Sequence, residues 1–137
     1  MLIFAFVACA KKDTNVCQTT MAEITGTYHL TKFESVSYQT GAAQNRTSSL
    51  TSCEVSGIYK FNIDSTVTYS ELSNCNNSGN GVWWASKTSF YSLFASGVSN
   101  RIGGGAISIT SWDCTNLVLI TNYPAVDSNY RYTLKRF

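Results

Sequence analysis

The clearest pattern in the chain is an alternation of apolar and polar residues with a period of two. It runs through residues 58–63 and again through residues 66–72, on either side of Asp64-Ser65. A period of two is typical of strands that bury one face, and Asp favours turns by bonding to its own backbone. The pattern therefore predicts a hairpin with a two-residue turn. Its buried face would carry Tyr59, Phe61, Ile63, Val67 and Tyr69.

Further segments have strand character, and turn residues separate them. Residues 89–97 fit both a helix and a strand; we interpret them as a strand because they are short and lie within a β series. On the first strand, inward Tyr28 and Leu30 would leave His29 outside. Residues 46–57 and 74–81 are expected to be connections by composition, and Gly103–Gly105 a turn. With the hairpin, about eight strands result, spaced as in a sandwich or barrel. The further strands are 26–38, 82–88, 89–97, 106–112, 115–121 and 130–137.

The first residues are apolar and end at a cysteine, after which the chain becomes polar. Phe6-Val7-Ala8-Cys9 resembles the lipobox of bacterial lipoproteins, in which the cysteine becomes the lipidated N-terminus. The alternative is a buried first strand in which Cys9 packs as a small hydrophobe. We expect residues 1–8 to be a signal remnant, residues 9–22 a lipidated tether anchored through Cys9, and residues 23–137 one domain.

Charge and candidate chemistry exclude several functions. The net charge is +2 and only 13% of residues are charged, with scattered cations, so nucleic-acid binding is not expected. The acidic residues share no motif and His29 is the single histidine. No two cysteines have the spacing of zinc ligands. We therefore expect no enzyme activity, no catalytic residues, no metal site and no cofactor.

Four of the five cysteines remain if Cys9 carries lipid, and an even number in an exported chain indicates disulfides. Cys53 lies about 11 positions before the predicted turn and Cys75 about 10 after it, so the two should meet at the open end of the hairpin. By elimination, Cys17 would pair with Cys114.

Several segments, taken in order, resemble the small bacterial lipocalin-like lipoproteins. They are Ile24–Glu34, Leu50–Glu71, Asn74–Trp83 and the last two strands, with Tyr28 where the family usually has Trp and Ser65 where it has Gly. The resemblance implies an all-β fold, an up-and-down antiparallel β-barrel of about eight strands. It also implies export and anchoring to the outer membrane of the bacterial cell envelope. Ala-Lys-Lys after Cys9 favours a periplasm-facing position, and we expect a monomer.

The chain is rich in aromatic residues, with three Trp, eight Tyr and seven Phe. Small barrels either fill their interior with side chains or hold one small ligand. Two functions therefore remain open: a barrel that binds a small apolar ligand, and a structural or protein-interaction lipoprotein with a solid core. The residues predicted to face inward, and to contact a ligand if there is one, are Tyr28, Tyr59, Phe61, Tyr69, Trp83 and Tyr132.

Overall fold

The computed structural model describes residues 16–122 and 127–137. The predicted signal remnant and Cys9 lie outside these residues. Within the described ranges, two one-turn α-helices occur, α1 (Met21–Ile24) and α2 (Ser52–Val55). The same residues form nine strands: β1 (Gly26–Ser37), β2 (Ala43–Asn45), β3 (Ile58–Phe61), β4 (Thr66–Ser70), β5 (Ser78–Ser86), β6 (Ser89–Phe94), β7 (Gly105–Trp112), β8 (Asn116–Thr121) and β9 (Ser128–Arg136).

Eight of these strands close into an antiparallel barrel. From β3 to β9 each strand pairs with the next, and β1 pairs with β3 on one side and with β9 on the other. Short β2 pairs with the second half of β1 beyond the end of β3. The predicted all-β, up-and-down barrel is therefore confirmed, and the ambiguous segment after residue 88 is a strand, β6.

The β3–β4 hairpin buries four of the five residues predicted for its inner face, and its turn differs from the prediction. Phe61 lies opposite Val67, and Ser65 adopts a left-handed backbone with φ of 70°. The loop is therefore Ile63-Asp64-Ser65, a three-residue connection that ends in a left-handed residue. The predicted two-residue turn was wrong. So was the burial of Ile63, which is 63% exposed because β3 ends at Phe61.

Two segments that were expected to be connections contain regular structure. Ser78–Gly81, expected to be loop, forms the start of β5. Its Gly81 allows close approach to β6, since a Cβ there would collide with the backbone oxygen of Leu93. Residues 46–57, expected to be an irregular connection, contain α2, whose capping box joins Thr51 and Glu54. None of the helices within residues 16–122 and 127–137 is long and apolar enough to cross a membrane.

Both predicted disulfides are present. Cys53 bonds to Cys75 with a Cα–Cα distance of 5.7 Å, and Cys17 bonds to Cys114 with a Cα–Cα distance of 5.4 Å. The hairpin is centred on Asp64, and Cys53 and Cys75 are equally distant from that residue along the chain. The three-residue loop therefore places the two cysteines opposite each other more closely than the predicted two-residue turn would. Cys17 belongs to the predicted tether, and its bond holds that part of the chain against the barrel.

The barrel has one closed end and one mouth. At the closed end, where β1 begins and β9 finishes, Arg136 donates hydrogen bonds to the Tyr28 hydroxyl at 3.1 Å and to the Thr25 carbonyl at 2.7 Å. Its guanidinium also lies 4.8 Å from the centre of the Trp112 ring. At the mouth, where β1 finishes and β9 begins, the β6–β7 loop turns inward and buries Ile102 completely.

Candidate functional site

The residues predicted to face inward all do so. Each belongs to a barrel strand, at positions that alternate with exposed or half-exposed neighbours, and all are buried. They are Tyr28 on β1, Tyr59 and Phe61 on β3, Tyr69 on β4, Trp83 on β5 and Tyr132 on β9. Their part in ligand binding stays a prediction.

Ring-to-ring contacts fill the centre of the barrel. Phe61 is at the middle of this cluster: its ring centre lies 4.9 Å from that of Trp83 and 5.5 Å from that of Tyr28. The Phe90 ring, which sequence reasoning did not single out, meets Phe61 edge-on at 5.5 Å. Such tilted and edge-on pairs are favourable arrangements for buried aromatic rings. This packing supports the expectation of a solid core for the part of the interior around Phe61.

Tyr132 belongs to a second aromatic group nearer the mouth. Its ring stacks on Phe33 at 5.4 Å, and Phe33 in turn contacts Tyr130 at 5.5 Å. Phe33 and Tyr130, which the sequence did not single out, therefore extend the aromatic lining of the barrel from Tyr132 toward the mouth.

The polar groups of the central cluster bond to the protein itself. The Tyr28 hydroxyl donates to the Ile24 carbonyl at 2.6 Å, and the Tyr69 hydroxyl donates to Glu71 Oε1 at 2.6 Å. Trp83 Nε1 donates to the Asn62 carbonyl at 2.8 Å. Burial raises the pKa of the Tyr59 hydroxyl, and burial together with the Glu71 hydrogen bond raises the pKa of Tyr69. These phenols therefore stay neutral, and Tyr28 and Tyr69 donate their protons to groups of the chain.

An open pocket of about 380 Å³ lies at the mouth. Strand geometry brings its floor together: Ser35 on β1 lies opposite Tyr130 on β9. Arg46 follows β2, and its backbone N–H donates to the Phe33 carbonyl at 2.8 Å, which fixes it beside the pocket. Arg101 comes from the β6–β7 loop next to buried Ile102. The lining residues are Phe33, Ser35, Arg46, Ser49, Arg101, Ser128 and Tyr130.

The two arginines of this pocket differ in their partners. Arg101 Nε lies 2.6 Å from Glu54 Oε1, and its guanidinium lies 4.9 Å above the Phe33 ring. Burial alone would raise the pKa of Glu54, but hydrogen bonds from Arg101 and Thr51 outweigh it and lower that pKa. Arg46 Nε donates to Ser35 Oγ at 3.4 Å. Among the residues that the structure describes, no carboxylate oxygen lies within 4.0 Å of the Arg46 guanidinium nitrogens.

The mouth pocket therefore combines an uncompensated cation, serine hydroxyls and two aromatic rings. A guanidinium recognises carboxylate, sulfonate or phosphate oxygens through charge-assisted hydrogen bonds. Phe33 and Tyr130 offer apolar surface beside it. No sequence signal pointed to this site, because Arg46 and Arg101 are far apart in the chain and lie in connections without a motif.

One cluster of potential metal ligands has another explanation. Cys53, Cys75 and Glu71 place their sulfur and oxygen atoms within 4.8 Å of one another. The two sulfurs are bonded to each other, whereas a cysteine binds metal ions as a free thiolate. Glu71 accepts hydrogen bonds from Tyr69 and from Asn77. This cluster is therefore part of the scaffold.

Comparison with known proteins gives the class of the fold. No family model matches the sequence, and no curated protein matches it. The crystal structure of a lipocalin-like protein from Bacteroides uniformis is similar, with a TM-score of 0.54, 12% sequence identity, and coverage of 84% of this chain and 99% of that chain. At this identity the similarity shows the fold alone. The described residues form a closed eight-stranded antiparallel barrel with a lipocalin-like fold.

Proposed function

We propose that this protein is a non-enzymatic binding protein of the bacterial cell envelope, anchored to the outer membrane through a lipid on Cys9. It takes a small ligand that has an acidic group and an apolar body, and it takes this ligand at the mouth of the barrel. The observation that carries the proposal is the mouth pocket, where Arg46 has no carboxylate partner among the described residues and stands beside Phe33 and Tyr130.

The proposed ligand site is the mouth pocket, whereas the sequence alone pointed to the interior of the barrel. The centre holds packed rings, and Ile102 of the β6–β7 loop is buried in the same core. Lipocalin-like barrels are suited to hold one small ligand. Here the concave, partly apolar surface with a few polar groups that such ligands need is present at the rim.

A pair of fluorescent probes tests the ligand class. Anilinonaphthalene sulfonate carries an anionic group on an apolar body, and N-phenylnaphthylamine has nearly the same body without the anion. We expect saturable binding of the anionic probe and weaker binding of the neutral one. Arg46→Gln should weaken the anionic probe about tenfold, the equivalent of about 1.4 kcal/mol. Lys60→Gln, which removes an exposed cation from the outer face of β3, should leave both affinities unchanged.

Each other outcome supports a different function. Equal binding of both probes, unaffected by Arg46→Gln, would indicate an apolar site inside the barrel. If neither probe binds, the second candidate function is favoured, a structural or protein-interaction lipoprotein. The packed aromatic centre is the observation that supports this second function. The anchor is tested separately: Cys9→Ser should move the protein from the membrane fraction to the soluble fraction of the cell.

A further inference from the structure

The outer wall of the barrel carries an exposed aromatic and aliphatic patch on β5 and β6. Trp84 lies opposite Tyr91, and Val82 lies opposite Leu93, all four on the outward face. Trp84 is 46% exposed, Leu93 47% and Val82 50%. Outward positions of a barrel in water are normally polar. This group of four residues, the wall patch, therefore needs an explanation beyond folding.

The two rings of the wall patch lie nearly parallel to each other. The centres of the Trp84 and Tyr91 rings are 6.2 Å apart and their planes differ by 18°. Cross-strand pairing holds both rings on rigid strands, so this ring pair exists before any ligand arrives.

A shallow pocket adjoins this ring pair and adds polar groups. Its volume is about 160 Å³, which is close to the ~150 Å³ of an engineered cavity that holds one six-membered ring. Besides the two rings, Ser89, Ser108 and Asn122 face it, and Asn122 Nδ2 donates to Ser108 Oγ at 2.6 Å. Hydroxyl and amide groups thus stand next to aromatic faces.

The border of the wall patch is uncharged. On β5 and β6 themselves, the outward residues that adjoin it are Asn80, Ser86 and Ser89. On the neighbouring strands β4 and β7 they include Thr66 and Ser108. Lys87 lies beyond Ser86, in the β5–β6 turn. An anionic membrane surface attracts clustered Lys and Arg, which this border lacks. A stable dimer buries about 20–30 residues per side, many more than the four apolar residues here.

We propose that the wall patch and its pocket bind a neutral carbohydrate. The electron-rich faces of Trp84 and Tyr91 attract the polarised C–H groups on one side of a sugar ring. The hydroxyls of that ring can bond to Ser89, Ser108 and Asn122, which both donate and accept. This site uses none of the residues of the mouth pocket and does not depend on it.

Binding of neutral hexasaccharides to the full chain tests the proposal. Maltohexaose, cellohexaose and chitohexaose are titrated by calorimetry. We expect at least one to bind saturably, and Trp84→Ala to weaken that binding at least tenfold, while Trp84→Phe retains part of it. Tyr38→Ala is the matched control, because Tyr38 is 62% exposed and lies away from the patch, at the end of β1; it should bind as the wild type does.

A second readout places the sugar on the surface. Trp84 is exposed whereas Trp83 and Trp112 are buried, so N-bromosuccinimide should oxidise Trp84 first, and the bound hexasaccharide should protect it. Unchanged circular dichroism and unchanged sulfonate-probe binding would show that Trp84→Ala is folded. The proposal is overturned if no hexasaccharide binds at millimolar concentration. It is also overturned if Trp84→Ala binds as well as the wild type, or if Trp84→Ala abolishes self-association or vesicle binding instead.

Discussion

Replacing Phe61 with alanine probes the packed centre of the barrel directly. The Phe61 ring is 1% exposed and contacts the rings of Trp83, Tyr28 and Phe90. Removing it forfeits the burial of one aromatic side chain, about 1.5–3 kcal/mol. It also leaves a cavity that rigid neighbouring strands cannot close, so the expected total loss of unfolding free energy is about 3–5 kcal/mol.

Urea unfolding with the disulfides intact, followed by far-UV circular dichroism, measures this loss as a lower midpoint at an unchanged slope. Ile63→Ala is the matched control, two residues further along the chain. Ile63 is 63% exposed in the hairpin loop, so its truncation should change stability by less than about 0.5 kcal/mol. A loss below about 1 kcal/mol for Phe61→Ala would refute the packed centre. Equal losses for the two variants would refute the three-residue loop.

Two further predictions concern covalent and ionic links. Cys53 and Cys75 are 22 positions apart, and Cys17 and Cys114 are 97 apart. In the chain-entropy model, removing the first bridge with paired alanines should lower the free energy of unfolding by about 3 kcal/mol. Removing the second should lower it by about 4–5 kcal/mol, because its loop is longer. Urea unfolding of the two double variants checks this, and the reverse order would contradict it. Hydrogen bonds from Arg131 and Lys32 outweigh burial and lower the pKa of Glu34 to about 2, from an ordinary value near 4.5. The ionised carboxylate therefore stabilises the fold above about pH 5, and its contribution of up to about 3 kcal/mol disappears as the pH falls toward 2. The stability difference between wild type and Glu34→Gln should shrink over that interval; a constant difference would show that the carboxylate does not titrate in this way.

Alternation along single strands was sufficient to predict about eight strands in a sandwich or barrel, because each strand buries one face. The up-and-down barrel itself was predicted from the resemblance to the lipocalin-like lipoproteins. Alternation predicted the inward positions of Tyr59 and Trp83 and, through the hairpin, the Cys53–Cys75 bond. The alternation pattern failed at the loop of the β3–β4 hairpin, where the backbone conformation of one residue determines the loop length. Ser65 accepts a left-handed conformation that glycine usually occupies, which lengthens the loop and exposes Ile63.

Composition failed for a different reason at the start of β5. Residues 78–81 contain Ser, Gly and Asn, which favour loops, but their pairing with β4 overrides that preference. The mouth pocket could not be predicted either. Arg46 and Arg101 are 55 positions apart (101 − 46) in the sequence, and only closure of the barrel and the inward turn of the β6–β7 loop bring them to one rim.

The Cys17–Cys114 bond also determines how the barrel would stand on a membrane. Cys114 lies between β7 and β8 at the closed end, and Thr20 pairs with Ser86 at the same end. With lipid on Cys9, the linker between the bilayer and the barrel is the chain from Cys9 to Cys17. Its eight residue-to-residue distances span at most about 26–29 Å when fully extended. Because this short linker is attached at the closed end of the barrel, it would turn the closed end toward the lipid and the mouth away from it. A ligand would then approach from the aqueous side and would not enter laterally from the bilayer.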